Sequence, residues 1–378
     1  MEIIRPKIVS LDTATWGLIA KEQSLAVDRI NRIFWSGAVV PFFMDTVIME
    51  LLAHGNDNVV KSRIAMIRRL PFVHFMKGCP GHAGVGWLLD LREAEMAVIR
   101  DFPNAKSEDV LNIVRSQVTS QFCAGAEFCD RYYSEWMNTR QLAPLFTSET
   151  PEIAAFTQFP LPGVNLRDKI PASSEEIDYR SFEEFENIVC GQHKWLTHKL
   201  KTNGDEKIND PEKAAAKFLR EICDDMKGIL DGRGDITEAL LAQAGVERSR
   251  LPPKPTIDDV GFEYTFVGHL QTHERRLKLP QGTLKQFVRK EQLPSWIVWR
   301  EVSRAIRRLP KAEASSLNDK MIVPFALYLD GVEVDKRIRN CIREASSTHP
   351  LMKITDAHVF RSKPLKALAD HLESIAAS

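Results

Sequence analysis

Apolar positions in this chain switch between short continuous runs and helical spacing. Ile8-Val9-Ser10-Leu11 reads as a buried strand ending at Asp12, after which Leu18, Leu25, Val27, Ile30 and Ile33 fall at roughly helical intervals. Val39-Val40-Pro41 is a short extended element. A helix starting near Asp45 carries Val47-Ile48-Met49-Glu50-Leu51-Leu52, and Gly55-Asn56-Asp57 interrupts it. Val60, Ile64, Ile67 and Leu70 share one side of the next helix, Pro71 stops it, and Phe72 to Met76 reads as a strand. The opening is thus predicted as β-α-α-α-β.

A glycine cluster from Gly78 to Gly86 marks a turn, and it lacks the Lys-Ser/Thr ending of a phosphate loop. The middle of the chain follows helical patterning near 90–101, 107–138, 180–200, 210–230 and 235–244. Pro160, Pro162 and Pro171 punctuate a looser stretch, and Leu251-Pro252-Pro253-Lys254-Pro255 is a linker. Phe262 to Val267 fits strand or helix. The end returns to alternation: an apolar helix from Asp319 to Leu329, Gly331 as its terminator, a strand at Val332 to Val334, a helix from Ile338 to Ala345 and a strand at Leu351 to Thr355. Strands alternating with helices imply an α/β fold with a parallel sheet flanked by helices.

Composition adds bounds. The 378 residues suffice for one large domain or two, with 44% hydrophobic side chains to form a core. The 51 basic and 51 acidic side chains cancel, so bulk charge does not point to nucleic acid. No apolar run approaches the roughly 20 residues of a membrane span. Met1 to Lys7 lacks the apolar core of a signal peptide. Six cysteines without a CxxC pair fit reduced thiols, and a cytoplasmic protein is the expectation.

Four acids sit in apolar settings: Asp12, Glu50, Asp319 and Asp335. Each alone has a plainer reading. Asp12 suits a strand-to-helix turn, Glu50 an exposed helix position, Asp319 a first-turn acid facing the helix dipole, and Asp335 a turn paired with Lys336 or Arg337. Topology joins them. Asp12 and Asp335 each follow a strand, and ligands of open α/β sheets bind beyond the strands' carboxyl ends. A helix antiparallel to the last strand would start at that same edge and bring Asp319 there. Four converging carboxylates repel, and Mg²⁺ or Mn²⁺ prefers such oxygen ligands.

In these segments the chain resembles the PIN-domain nucleases. The resemblance rests on Lys7-Ile8-Val9-Ser10-Leu11-Asp12-Thr13, on Val39-Val40-Pro41 with Val47 to Leu52, and on Asn318-Asp319 through Asp335-Lys336-Arg337. It covers about residues 3–77 and 312–365. It implies a PIN-like core at 1–77 and 312–378 with a helical insertion at 78–311. The four acids would hold Mg²⁺ or Mn²⁺ for endonucleolytic hydrolysis of RNA, in a toxin-like or RNA-processing role, with DNA as a variant substrate. A homodimer, and an inhibitor or partner protein on the insertion, are further implications. Two departures stand out. Val334 occupies a position where the family often carries a hydroxyl, and about 235 residues part the two halves. The competing reading is a non-catalytic scaffold that binds nucleic acid or protein. Asp330, about 16 Å beyond Asp319 along a helix, is assigned to the far end.

Between His273 and Lys311 eleven basic side chains face three acidic ones, a local net of +8. Arg300, Arg304, Arg307, Arg308 and Lys311 recur at three- and four-residue intervals behind Trp296 and Trp299, a pattern that predicts a basic helical face for phosphate backbones. Phe122, Phe128, Tyr132, Tyr133 and Trp136 have helical spacing and are assigned to core packing. His269 and His273 have zinc-like spacing but no second ligand pair nearby.

Overall fold

The computed structural model describes residues 5–78, 84–147, 190–230, 241, 245–252, 256–311, 313, 315–361 and 363–378. The prolines at 160, 162 and 171, Cys79, and most of the helix expected at 235–244 lie outside them. The chain divides into two compact units. One comprises Met1–Ser148, Gln286–Ile306 and Leu317–Ser378; the other comprises Glu149–Lys285 and Arg307–Ser316.

The first unit is α/β, built on a six-stranded sheet. Its strands are β1 (Lys7–Ser10), β2 (Val39–Phe43), β3 (Val73–Phe75), β4 (Gln121–Cys123), β5 (Gly331–Glu333) and β6 (Val359–Phe360), in the spatial order β4-β3-β2-β1-β5-β6. All neighbours are parallel except β3 and β4. Every residue of β2 is buried, so helices cover both of its faces, and its unbroken apolar run is what such a strand requires. Pro41 pairs with Val9 and precedes the β3 pairing, which starts at Phe42 opposite His74.

The stretch read as one helix after β1 is two. α1 (Thr13–Lys21) ends, and Ser24 starts α2 (Leu25–Ser36) by accepting from the Val27 amide at 3.4 Å. Gly37, at φ +73°, closes α2 with the left-handed residue that only glycine adopts freely. α3 (Asp45–Leu52) and α4 (Asp57–Arg68) lead to β3, giving β-α-α-β-α-α-β. Past the glycine cluster come α5 (Leu88–Asp101), α6 (Ser107–Val118) and, after β4, α7 (Gly125–Thr147).

The sequence boundary at residue 78 therefore falls too early. β4 completes the sheet, and α7 packs on α3 and α4. Phe128, Tyr132 and Trp136 are buried, as core packing requires, with Phe128 5.0 Å from Phe75 and 5.8 Å from Phe43, which stacks on Trp16 at 5.0 Å. Phe122 and Tyr133 are exposed.

The second unit holds α8 (His193–Asn203), α9 (Pro211–Leu230) and α10 (Ile257–Leu277). Leu196, Leu200, Ala215 and Leu219 form a core of its own. The segment open to strand or helix at 262–267 is helical within α10, whose start is fixed by a reciprocal cap between Thr256 and Asp259.

The first unit resumes with α11 (Pro294–Ile306), where Trp296 and Trp299 lie 4.9 Å apart and cover the buried Arg92. Then α12 (Ser315–Ile322) precedes β5, followed by α13 (Lys336–Ala345), α14 (Pro350–His358), β6 and α15 (Leu365–Ala377). Three expectations change here. The helix opens at Ser315 and not at Asp319, and Pro324 turns its continuation into a 3-10 segment, Val323–Leu327. Gly331 begins β5 rather than ending a helix; a Cβ there would lie 3.0 Å from the Phe360 ring and 3.3 Å from Val9. Leu351 to Thr355 is helical within α14, with His349 capping its start.

Among the described residues no helix is long and apolar enough to cross a membrane. The described cysteines, at 123, 129, 190, 223 and 341, form no disulfide. Gly125 tests the packing of α7: a Cβ would sit 2.0 Å from the Ile67 carbonyl oxygen. Gly125→Ala is expected to lower stability by about 1–3 kcal/mol, measured by urea unfolding, because that backbone must shift.

Candidate metal centre

β1 lies between β2 and β5, and the chain leaves the carboxyl ends of β1 and β5 toward opposite edges of the sheet, to β2 and to β6. That is the switch point at which open α/β sheets bind ligands. Asp12 follows β1 as the residue before α1, and Asp335 follows β5 as the residue before α13. Both therefore sit at helix N-termini on the same edge. The Asp335 Oδ1 accepts from the Ile338 amide at 2.7 Å, whereas Asp12 makes no such side-chain cap.

Asp319 comes to this edge on α12. Burial raises its pKa well above the usual carboxylate range; the charges of Asp335, Asp12 and Glu50 add to the rise, and Arg337 opposes it. The other three acids expected from the sequence thus all bear on Asp319. Asp319 is only half-buried as a residue, yet its Oδ2 is sealed from solvent and has no hydrogen-bond partner among the described residues. Asp12 is raised too, chiefly by burial and also by Asp335, against the lowering effect of Lys363 and the Ala14 and Thr13 amides.

Glu50 stands differently. Its Oε2 accepts from the Thr13 hydroxyl at 2.5 Å and its Oε1 from the Asn318 side-chain amide. The residues next to Asp12 and Asp319 therefore hold the fourth acid in place.

A fifth acid escaped the sequence reading. Glu333, buried on β5, accepts from the Asp12 amide at 3.0 Å and from the Thr15 hydroxyl at 2.7 Å. It fixes the turn that carries Asp12. The signal lay in Val332-Glu333-Val334, an acid within a strand buried on both faces, where a charge persists only with partners. Lys363 was missed as well. Asp330 lies at the opposite end of β1, where its Oδ2 accepts from the Ile8 amide at 2.8 Å and its amide donates to the Ile8 carbonyl at 2.9 Å.

Among the described residues no three His, Cys, Asp or Glu side chains form a ready-made metal cage. The donor set nevertheless fits a hard divalent cation. It offers carboxylate oxygens only, one of them buried and unpartnered, and Mg²⁺ keeps several waters and needs one or two protein carboxylates beside a phosphate.

The basic stretch differs from its expected form. α11 ends at Ile306, so Arg300 and Arg304 lie on it while Arg307, Arg308 and Lys311 do not, and no single helical face joins them. Arg300 and Arg304 both bond Glu301, at 3.0 and 3.3 Å. Arg307 pairs with Asp258 and covers the Phe262 ring, and Lys311 pairs with Glu206 at 3.2 Å.

Comparison with family models, with curated proteins and with solved structures finds no match.

The raised acids set a pH dependence. An acid whose pKa is higher folded than unfolded stabilises the protein fully below the unfolded value, 3.8 for Asp, and loses that contribution as pH rises through the folded one. Asp319→Asn is therefore expected to raise the Tm of metal-free protein at pH 8, by about 2–4 °C per kcal/mol of relieved penalty. The gain should shrink toward pH 4 and on adding Mg²⁺. Melts in EDTA at several pH values measure this, and a lower Tm for the variant at pH 8 would contradict it.

Proposed function

We propose that this chain is a Mg²⁺- or Mn²⁺-dependent endoribonuclease with a PIN-like core, hydrolysing RNA phosphodiester bonds at Asp12, Glu50, Asp319 and Asp335. The observation that carries this reading is the gathering of acids from four separate chain segments around Asp319, whose Oδ2 is sealed from solvent without a partner among the described residues and whose pKa Asp335, Asp12 and Glu50 all raise. The parallel order β3-β2-β1-β5-β6 supports it, since it places β1 and β5 side by side.

In this reading Asp12 and Asp335 would hold the ion directly, with Asp319 beside them. A divalent ion bound by these residues would supply Lewis-acid polarisation of the scissile phosphate and of a bound water. Glu50, kept in place by Thr13 and Asn318, would orient the attacking water. Glu333 acts on the backbone of Asp12 and not on the substrate.

One observation favours a second reading. Val334 is buried where the resembling family often carries a hydroxyl, so a support for the metal is absent. A non-catalytic scaffold with a degenerate nuclease-like core would tolerate that loss.

Metal-dependent cleavage separates the two. Purified protein is expected to cut a labelled single-stranded RNA in Mg²⁺ or Mn²⁺ and to stop in EDTA, with a DNA oligomer of the same sequence as the comparison. Asp12→Asn and Asp335→Asn should each lose more activity than the roughly 10–100-fold typical of an outer-shell partner, while keeping the wild-type circular dichroism. Thr13→Val should fall within that outer-shell range. Undiminished cleavage by both Asn variants would sink the assignment of these acids.

A further inference from the structure

The strongest basic stretch in the sequence is largely engaged by acids, while a smaller group of cations is not. Lys336 follows Asp335 directly, and Arg361 and Lys363 follow β6. The register fixes where they emerge. Glu333 pairs with Phe360, and the Val334 amide donates to the Phe360 carbonyl at 2.9 Å, so the chain leaves β5 and β6 side by side in the same direction. Adjacent strands are about 4.8 Å apart. Lys336, Arg361 and Lys363 therefore come off the same edge as Asp12 and Asp335.

All three side chains are exposed, and among the described residues they make no hydrogen bond or ion pair. Of the three, Lys363 is the one whose charge lowers the pKa of Asp12. Arg337 belongs to the acidic site itself, where its charge bears on Asp319. Three solvated cations beside a group of half-buried acids form a bipolar edge: the acids suit a hard cation, and the lysines and arginine suit an anion spanning several positions.

We propose that Lys336, Arg361 and Lys363 are the surface that holds the phosphate backbone of a nucleic acid, in place of the stretch from Arg300 to Lys311. Spacing across two strand ends favours a polyanion over a single small anion, because the charges lie on two separate turns of chain. The inference rests on the nuclease reading for what happens at the acids, but the surface stands on its own register and charge.

The test uses the full chain, a fluorescein-labelled twelve-nucleotide RNA of mixed sequence and the matching single-stranded DNA. Anisotropy is followed from low to high salt in CaCl2, with oligomer integrity checked on a gel. The triple variant Lys336→Gln, Arg361→Gln, Lys363→Gln should bind about tenfold or more weakly at low salt. Its slope of log affinity against log salt should be shallower by about 2, the share of three phosphate contacts on a single strand. Arg308→Gln with Lys311→Gln should leave that slope unchanged. Unaltered binding by the triple variant, an equal loss from the Arg308 and Lys311 pair, or no salt-dependent binding by the wild type would each overturn the proposal. Binding that needs the three cations without any Mg²⁺- or Mn²⁺-dependent cleavage would sink the nuclease reading and leave this surface standing. Cleavage with unchanged binding in the triple variant would do the reverse.

Discussion

Strand β1 is bonded along both edges, and everything at the acidic edge depends on its second pairing. Bonding to β2 is nearly local. Bonding to β5 joins residues more than 300 positions apart: Ile8 exchanges hydrogen bonds with Asp330 at one end, and Asp12 donates to Glu333 at the other. The two side-chain carboxylates clamp the strand pair top and bottom. Without Asp330 the start of β1 loses a partner for a part-buried amide, and without Glu333 the Asp12 turn loses its anchor. Loop closure of that length is entropically costly but grows only slowly with the number of residues enclosed. A second compact unit can therefore lie within the loop without preventing the pairing.

That pairing concentrates negative charge at the carboxyl ends of β1 and β5. Two features partly compensate. Asp12 and Asp335 precede helices, whose N-terminal amides favour an anion, and Lys363 and Arg337 bring positive charge to bear. They do not suffice for Asp319, whose carboxyl is held toward its neutral form by burial and by three neighbours of like charge. A fold under selection for stability alone would place Asn or Leu there. Penalties of this kind collect where a site must recognise something that the free protein lacks. Glu50 shows the contrast: with Thr13 and Asn318 donating to it, a carboxylate at the same edge is accommodated without a cation.

The parallel sheet and the arrival of Asp12 and Asp335 at its carboxyl edge were legible in the sequence because both rest on local signals, apolar strand runs and acids placed just after them. The parts that were not legible depend on distant pairings. Glu333 matters through Asp12 and Thr15, more than 300 residues away; its apolar neighbours Val332 and Val334 signal that it needs a partner but not which one. Gly331 was misread since a glycine after an apolar helical pattern is a usual C-cap, whereas its small size here admits Phe360 and Val9. The strand expected at Leu351 to Thr355 failed for a related reason. Short apolar runs do not separate strand from buried helix, and His349 with Pro350 at the first turn decided for the helix. The limits of the sheet-bearing unit were set too narrowly because β4 pairs antiparallel at the edge and is only three residues long.

Charge was the least transparent property of all. Counting side chains in a window assumes that their counter-ions lie in the same window, and between residues 273 and 311 they do so only in part. Asp258 and Glu206 lie upstream, and Glu301, a single acid within the window, serves two arginines. A local net of +8 thus overstates the field that a polyanion would meet. The reverse holds at the strand ends, where Lys336 and Arg337 directly follow Asp335 and look self-neutralised on paper. Asp335 turns to the Ile338 amide instead, and its charge is spent on the helix start and on Asp319. Lys336 is left facing solvent. What decides whether a cation is available to a ligand is the geometry of the nearest acid and not its sequence distance, and in a parallel sheet that geometry is set by which strands are neighbours.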